Sequence, residues 1–503
     1  MEAYRTEIIA ACVGIYFVLC IVVGIWAMRK THSSKDFFMA GRDLGILVTS
    51  IAIFSSAMSG FGFVGGPGLV YRMGISSLWI VISTTIGYAI CFFLLGGKLR
   101  EWAVKRDSIS LPDVIMARYD SPLAGILTAF SIVLGVLGYL ATQIAAMATV
   151  LQSLAAGLTD MGEVPLVYCA LFSTTLLVFY CVTGGIIASV YTDLVQGVIM
   201  MVAAVMVFLT AIWVVDGGLR GITETLIKDD PASMSPWGSK GMLGCLSWYF
   251  VFALGVSGQP QVITKLMMTR RAEDARWTLP ATIIGYVITA MLWIALGLAM
   301  RALVVSGAHP ELANADHAAP AFLQGLTHPI LAGVVFAGLF AAIMSTADAF
   351  LNIGAAALVH DIPMALRGTP LRDELRYARL ATVLLGAFAM MAALNLGEMV
   401  ALLGAFGWGT FAAALVPTVA IGLNWPRATA PAACTAILSS LAVNFSLKAF
   451  DIALPLSIDA GAAALLVSIV LFVTVSLLTP DRSGGKSEPT PDKNDSAIEP
   501  TLN

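Results

Sequence analysis

Charge is scarce in this chain. Asp, Glu, Lys and Arg make up 12% of its 503 residues, against about 25% in an ordinary soluble domain. With 58% hydrophobic residues and a mean hydropathy of +0.88, that deficit excludes a water-soluble globular fold and implies a polytopic membrane protein. Histidine and cysteine are sparse too. His32, His309, His317, His328 and His360 fall mostly in loops or at the ends of apolar runs, and their spacing makes no ligand cluster. Cys12, Cys20, Cys91, Cys169, Cys181, Cys245 and Cys434 sit in or beside apolar stretches and read as small buried hydrophobes, not a disulfide or metal framework. No basic patch is interleaved with aromatics, so nucleic acid is not an expected partner. Acids are scattered singly, without the nucleophile–base clustering that an intramembrane enzyme needs, so no catalytic residue is assigned. Residues 1–6 carry no cationic leader, and the apolar run 8–28 is too long for a signal-peptide core; a retained first helix is expected.

What the chain has instead is long apolar runs. A helix crosses a bilayer with about 20 apolar residues. On that basis some 13 spans are expected, near 8–28, 45–70, 74–97, 122–155, 164–184, 189–215, 241–264, 278–303, 329–359, 378–396, 398–423, 428–447 and 455–479. The fold class is all-α. With the amino terminus outside, inner loops collect 21 of the 28 basic residues, Lys265 among them. The positive-inside rule therefore sets the N-terminus outside and the C-terminus in the cytoplasm, as an odd span count requires. The polar stretch after Thr479, rich in Pro, Ser, Asp and Lys, is expected to be a disordered cytoplasmic tail. The absence of sorting signals fits a bacterial inner membrane.

Two spans look broken. The second carries Ser55-Ser56-Ala57-Met58-Ser59-Gly60 and then Gly62, Gly65, Gly66, Pro67 and Gly68, a density of glycine and proline that a regular helix does not sustain. Broken backbone at membrane depth lines a cavity, and its freed carbonyls can coordinate a cation. Close helix packing is the other use of such glycines. The seventh span has a second weak point at Gly255-Val256-Ser257-Gly258-Gln259-Pro260. If residues 44–215 (spans two to six) and 216–424 (spans seven to eleven) are inverted repeats, the two interruptions correspond, which marks a midplane binding site. Residues 1–43 then form a leading helix and loop, 425–480 two closing helices, and 481–503 the tail. In span nine, Ser345 and Thr346 lie deep in an apolar run. Hydroxyls there either bond back to carbonyls four residues earlier or join carbonyls around a small hard cation. Asp348 follows within a turn, and Asp193 opens span six after a tight turn at Gly184-Gly185; both are candidates for an ion path or a second ion site.

The ordered set Ala40-Gly41-Arg42-Asp43-Leu44-Gly45, Met58-Ser59-Gly60, Thr192-Asp193-Leu194-Val195-Gln196, Gly258-Gln259-Pro260 and Ala342-Ile343-Met344-Ser345-Thr346-Ala347-Asp348 resembles the sodium:solute symporter family. The resemblance implies a leucine-transporter-like five-plus-five inverted repeat with flanking helices, and Na⁺ as coupling ion. It places Na⁺ between spans two and nine, on the carbonyls of Ser55, Met58 and Ala342 and the hydroxyls of Ser345 and Thr346. Because Ala342 offers no hydroxyl toward a second site, one sodium is the expected stoichiometry. Substrate candidates on the same ground are Tyr139 and Gln143 in span four, Phe252, Ser257, Gln259 and Pro260 in span seven, and Phe406 and Trp408 in span eleven. Tyr139 and Gly-Gln-Pro resemble the sodium/proline branch, whereas Ala57 and Phe252 depart from it. The expected activity is sodium-coupled import of a small organic solute, an amino acid such as proline first, by a monomer or weak oligomer in the bilayer. A sugar or carboxylate substrate, or proton coupling through Asp193 or Asp348, are the alternatives.

Overall fold

The computed structural model describes residues 4–28, 44–156, 164–369, 371–397 and 399–480. The expected tail and the Ala40–Asp43 element lie outside them. Eighteen α-helices follow in order: α1 Arg5–Met28, α2 Ile46–Ala57, α3 Gly66–Met73, α4 Leu78–Lys105, α5 Leu111–Tyr119, α6 Pro122–Ala156, α7 Leu166–Val214, α8 Gly218–Asp229, α9 Gly241–Gly255, α10 Pro260–Met267, α11 Ala275–Val305, α12 Ala318–Leu326, α13 Pro329–Ala356, α14 Ile362–Arg367, α15 Glu374–Leu396, α16 Val400–Leu415, α17 Ala430–Ala449 and α18 Ala460–Leu478. Among the described residues, 12 helical segments are long and apolar enough to cross a membrane. The second expected span, 45–70, is the one not among them whole, being split at Met58–Gly60: its first half is the short α2, and its second half runs into the segment that becomes α4.

α13 and α16 sit at the centre, buried along most of their length, while α1, α15 and the second half of α7 present apolar side chains outward. α13 packs on α7, α6, α1 and α2, and α16 packs on α6, α18 and α9. Apolar side chains facing outward from these helices meet lipid, where burial against protein confers no hydrophobic gain, so close packing must hold the bundle. Small residues provide it. The Cα of Gly409 faces Gly461 on α18, where an added Cβ would come within 2.8 Å of the Gly461 Cα.

Two expectations change here. The glycine run does not unravel span two: the break is confined to Met58–Gly60, Phe61–Gly65 form one wide π-turn, and α3 resumes with Pro67 in its first turn, where no N–H is needed. Most of these glycines serve close approach instead. Gly65 lies against the Ala401 backbone, Gly66 against the Trp293 indole and Gly68 against the Ala315 carbonyl. α7 runs for 49 residues through Gly184-Gly185. It is not straight: the Tyr180 and Thr192 hydroxyls are hydrogen-bonded, although twelve residues of straight helix span about 18 Å. The chain doubles back between them, as two spans of this length require. Lys265 is not a loop residue; it is 1% exposed.

The two interrupted helices are tied together at one end. Leu44, just before α2, makes a parallel bridge with Thr269, just after α10, through Leu44 N–H to the Met268 oxygen (3.2 Å) and Arg270 N–H to the Leu44 oxygen (3.0 Å). At the other end of the bundle Asp316 accepts the Val400 N–H at 2.9 Å and so caps α16. Burial pushes its carboxyl up to about 6, with the Val400 hydrogen bond acting in the opposite sense.

Candidate functional site

The break in span two is a local consequence of its sequence. Met58 leaves the helix at φ −84°, ψ 65°, and Ser59 Oγ accepts the Phe61 N–H at 3.1 Å, capping the restarted helix. The α2 carbonyls near this point face α13. Ser345 Oγ donates to the Ser55 oxygen at 3.2 Å and Thr346 Oγ1 to the Ser56 oxygen at 3.0 Å. Both hydroxyls are also within reach of the Ala342 oxygen, at 3.1 and 3.2 Å. The two readings of these hydroxyls are therefore both present in one geometry: each bonds back along its own helix and across to the broken one. Ser55, Met58, Ala342, Ser345 and Thr346 are all buried, and no carboxylate or cationic group is among the hydrogen-bond partners of the two hydroxyls. The carbonyls of Ser55, Ser56 and Ala342 converge on these two hydroxyls and form a neutral oxygen cluster suited to a hard monovalent cation.

The next two residues of the break face α6. Tyr139 Oη lies 3.2 Å from Ser59 Oγ, and Gln143 Oε1 accepts the Gly60 N–H at 2.8 Å. Ser59 and Gly60 thus meet the α6 wall a few residues after the Ser55 and Ser56 carbonyls that Ser345 and Thr346 reach. Phe252 stacks on Phe61, with centroids 6.2 Å apart, and on Trp408 at 5.2 Å. Tyr139 packs on Phe350 at 4.8 Å. Gln259 Nε2 donates to the Gly255 and Trp408 oxygens at 3.2 and 3.3 Å, so it braces the α9–α10 break against α16. Pro260 restarts the helix as the first residue of α10.

The structure therefore brings Tyr139, Gln143, Phe252, Gln259 and Trp408 to one face of the two breaks. It does not bring Phe406, which turns to Phe445 on α17 (5.3 Å), nor Ser257, which faces Cys91 on α4. Phe61 and Trp293, 5.4 Å apart, complete the aromatic wall. They were not singled out in the sequence because a lone aromatic in an apolar run carries no signal of its own.

Asp193 is fully buried and paired with Lys265 at 2.9 Å. Asp348 Oδ1 accepts the Ser189 hydroxyl at 2.8 Å, and Tyr16 accepts from Gln196 Nε2 at 2.7 Å nearby. The spacing of the histidines concealed one cluster. His360 Nδ1 lies 2.6 Å from Glu374 and Nε2 lies 3.3 Å from Asp113, with Asp361 adjacent and held by Ser110 Oγ at 2.5 Å. The expectation that no histidine joins a ligand-type cluster is thereby corrected. These groups come from α5, the π-helical turn Ala357–Asp361 that follows α13, and the start of α15, far apart in the chain, which is why spacing could not show it.

The family model for the sodium:solute symporter family matches residues 37–439. The chain is 26% identical to the osmoregulated proline transporter OpuE of Bacillus subtilis, over 93% of this chain and 94% of that protein. It is 27% identical to the sodium/pantothenate symporter of Escherichia coli, over 86% and 89%. It is likewise 27% identical to the sodium/proline symporter of Staphylococcus aureus, over 86% and 84%. Among solved structures it resembles a Na⁺-coupled sialic acid symporter in a substrate-bound outward-open state, with TM-score 0.76 and 20% identity over 94% of this chain and 98% of that one. It also resembles Mhp1, a nucleobase-cation-symport-1 family transporter in a closed conformation, with TM-score 0.55 and 15% identity over 88% and 95%. These likenesses show a leucine-transporter-like fold.

Proposed function

The chain belongs to the sodium:solute symporter family, and from that premise we propose that it imports a small organic solute, with proline or another amino acid first, driven by one Na⁺ bound between α2 and α13. The observation that carries this reading is the meeting of Ser345 and Thr346 with the Ser55 and Ser56 carbonyls across the Met58 break. Na⁺ takes the oxygens of Ser55, Met58, Ala342, Ser345 and Thr346. Each hydroxyl then turns its proton away and offers a lone pair, as each carbonyl already does. A neutral oxygen set binds weakly enough to release the ion on the other side.

Solute binds against Tyr139, Gln143, Phe252 and Trp408, with Gln259 and Pro260 shaping the α9–α10 break. Coupling follows from chain connectivity. Na⁺ fixes the Met58 carbonyl, and Met58 is contiguous with Ser59 and Gly60, which position Tyr139 and Gln143. Na⁺ thus organises the wall that meets the solute, and joint occupancy favours closure. The repeats 44–215 and 216–424 then rock about the site. With the amino terminus outside, the membrane potential adds about 2.3 kcal/mol per charge per 100 mV to inward transport. The proline transporter and sodium/proline symporter among the relatives support an amino acid first, the pantothenate symporter keeps a carboxylate as the alternative, and Ala57 and Phe252 make the wall different from the proline pattern.

The test is uptake of radiolabelled amino acids, sugars and carboxylates into proteoliposomes under an inward Na⁺ gradient, repeated with choline in place of Na⁺. Uptake of one class that collapses in choline supports the reading. Uptake that persists in choline and rises with external acid refutes sodium coupling.

A further inference from the structure

Lys265 is the feature that the mechanism above leaves unused. Its helix, α10, restarts at Pro260 after the α9–α10 break, and the side chain runs into the interior with 2% of its surface exposed. A lysine buried this deeply needs partners for its ammonium. It has two: Asp193 Oδ2 on α7 at 2.9 Å and the Ala52 oxygen on α2 at 2.6 Å. The Ala52 oxygen also accepts Ser55 Oγ at 3.2 Å and Ser56 Oγ at 2.9 Å. The ammonium is therefore anchored in the same helical turn whose next carbonyls, Ser55 and Ser56, receive Ser345 and Thr346 from α13.

Two carboxyls stand around this point. Asp193 keeps one oxygen, Oδ1, without a hydrogen-bond partner, and Asp348 keeps Oδ2 without one. Asp348 is within electrostatic reach of both Asp193 and Lys265. Two buried carboxyls within electrostatic reach of each other beside a neutral alkali site are where a second hard cation would settle. Here a compact, strongly charged ammonium holds that place on a covalent tether.

We propose that Lys265 is a resident, non-transported cation that occupies the Asp193 carboxylate and so limits the transporter to a single coupling sodium. This rests on the sodium-symport reading and goes beyond it by fixing the stoichiometry in a named side chain. The ammonium also joins α10 to α2, so it holds the halves of the two broken helices together while it neutralises the acid.

The experiment is the Na⁺ activation curve of solute uptake in proteoliposomes for the wild type, Lys265→Met, and Lys265→Met combined with Asp193→Asn. The wild type is expected to show a Hill coefficient of about one, and Lys265→Met a coefficient moving toward two with a several-fold lower half-saturating Na⁺. The double variant removes ammonium and carboxylate together and is expected to return to the wild-type coefficient. A second measurement needs no variant: the wild type is expected to move one net charge per neutral solute. Two outcomes overturn the proposal while sodium coupling stands: an unchanged curve in an active Lys265→Met, or two charges per solute in the wild type. Wild-type uptake that ignores replacement of Na⁺ by choline overturns instead the reading beneath it.

Discussion

Ser345 and Thr346 each reach two carbonyl oxygens, and that doubling lets a pair of hydroxyls act as more than helix ornaments. Tyr139 is the equivalent residue on the proposed solute side. Its hydroxyl touches Ser59 next to the proposed ion ligand Met58, while its ring packs on Phe350. Tyr139→Phe removes only the hydroxyl contact and is expected to raise the half-saturating solute concentration more than the half-saturating Na⁺. An equal shift in both, measured by uptake, removes Tyr139 from the solute wall.

Asp316 makes a different prediction. Burial raises its carboxyl from the ordinary range near 4 to about 6. The folded state thus holds the proton more tightly than the unfolded chain does. The stabilisation is fully present below about pH 4 and is lost as pH rises through about 6, an effect of up to roughly 2–3 kcal/mol. Asp316→Asn keeps an acceptor for the Val400 N–H and is expected to flatten that part of the thermal-stability profile between pH 4 and 6 in detergent. A profile identical to the wild type would show that Asp316 does not titrate there.

At the scale of elements, the two interrupted helices were legible because glycine, proline and serine are concentrated at both points. How much of span two breaks was not legible. The residues Gly62–Gly68 look like a helix breaker in one dimension, but in three dimensions they are contact surfaces. Gly66 is the clearest: a Cβ there would fall 2.8 Å from Trp293 Cγ and nearer still to the fused ring, and Trp293 is itself buried. Gly66→Val is expected to cost about 1–3 kcal/mol through overpacking, read as a lower thermal midpoint in detergent. An unchanged midpoint would mean that α3 and α11 are not held this closely.

Lys265 was misjudged for a related reason. It follows a break and precedes Arg270 and Arg271, so charge counting assigned it to a loop, whereas its partners, Asp193 and Ala52, lie 72 and 213 residues away. The His360 cluster likewise depends on the meeting of α5, the turn that follows α13, and α15, which no local pattern encodes. By contrast, Gly184-Gly185 was read as a turn, and the Tyr180–Thr192 bond shows the chain bending there within one helical stretch.

At the scale of the whole molecule, the span pattern, the all-α class and the family were readable because apolar length and ordered motifs survive at 26–27% identity to known relatives. The substrate wall is less legible, since it is assembled from single residues on α6, α9, α10 and α16 whose neighbours become known only after folding. With Lys265 taken out of the loops, 20 basic residues remain on the proposed inner side against seven outside, so the charge argument for orientation stands.

What joins these scales is the proposal that an alkali ion is held where the bend of α2 meets the Ser-Thr step of α13. The most direct test is the Na⁺ concentration giving half-maximal solute uptake in proteoliposomes for Ser345→Ala and Thr346→Ala, with protein amount and folding checked. Losing one of five oxygen ligands is expected to raise that concentration at least roughly tenfold in each, the equivalent of about 1.4 kcal/mol, with a smaller effect on solute affinity at saturating Na⁺. Sodium dependence that matches the wild type in both variants would contradict the account.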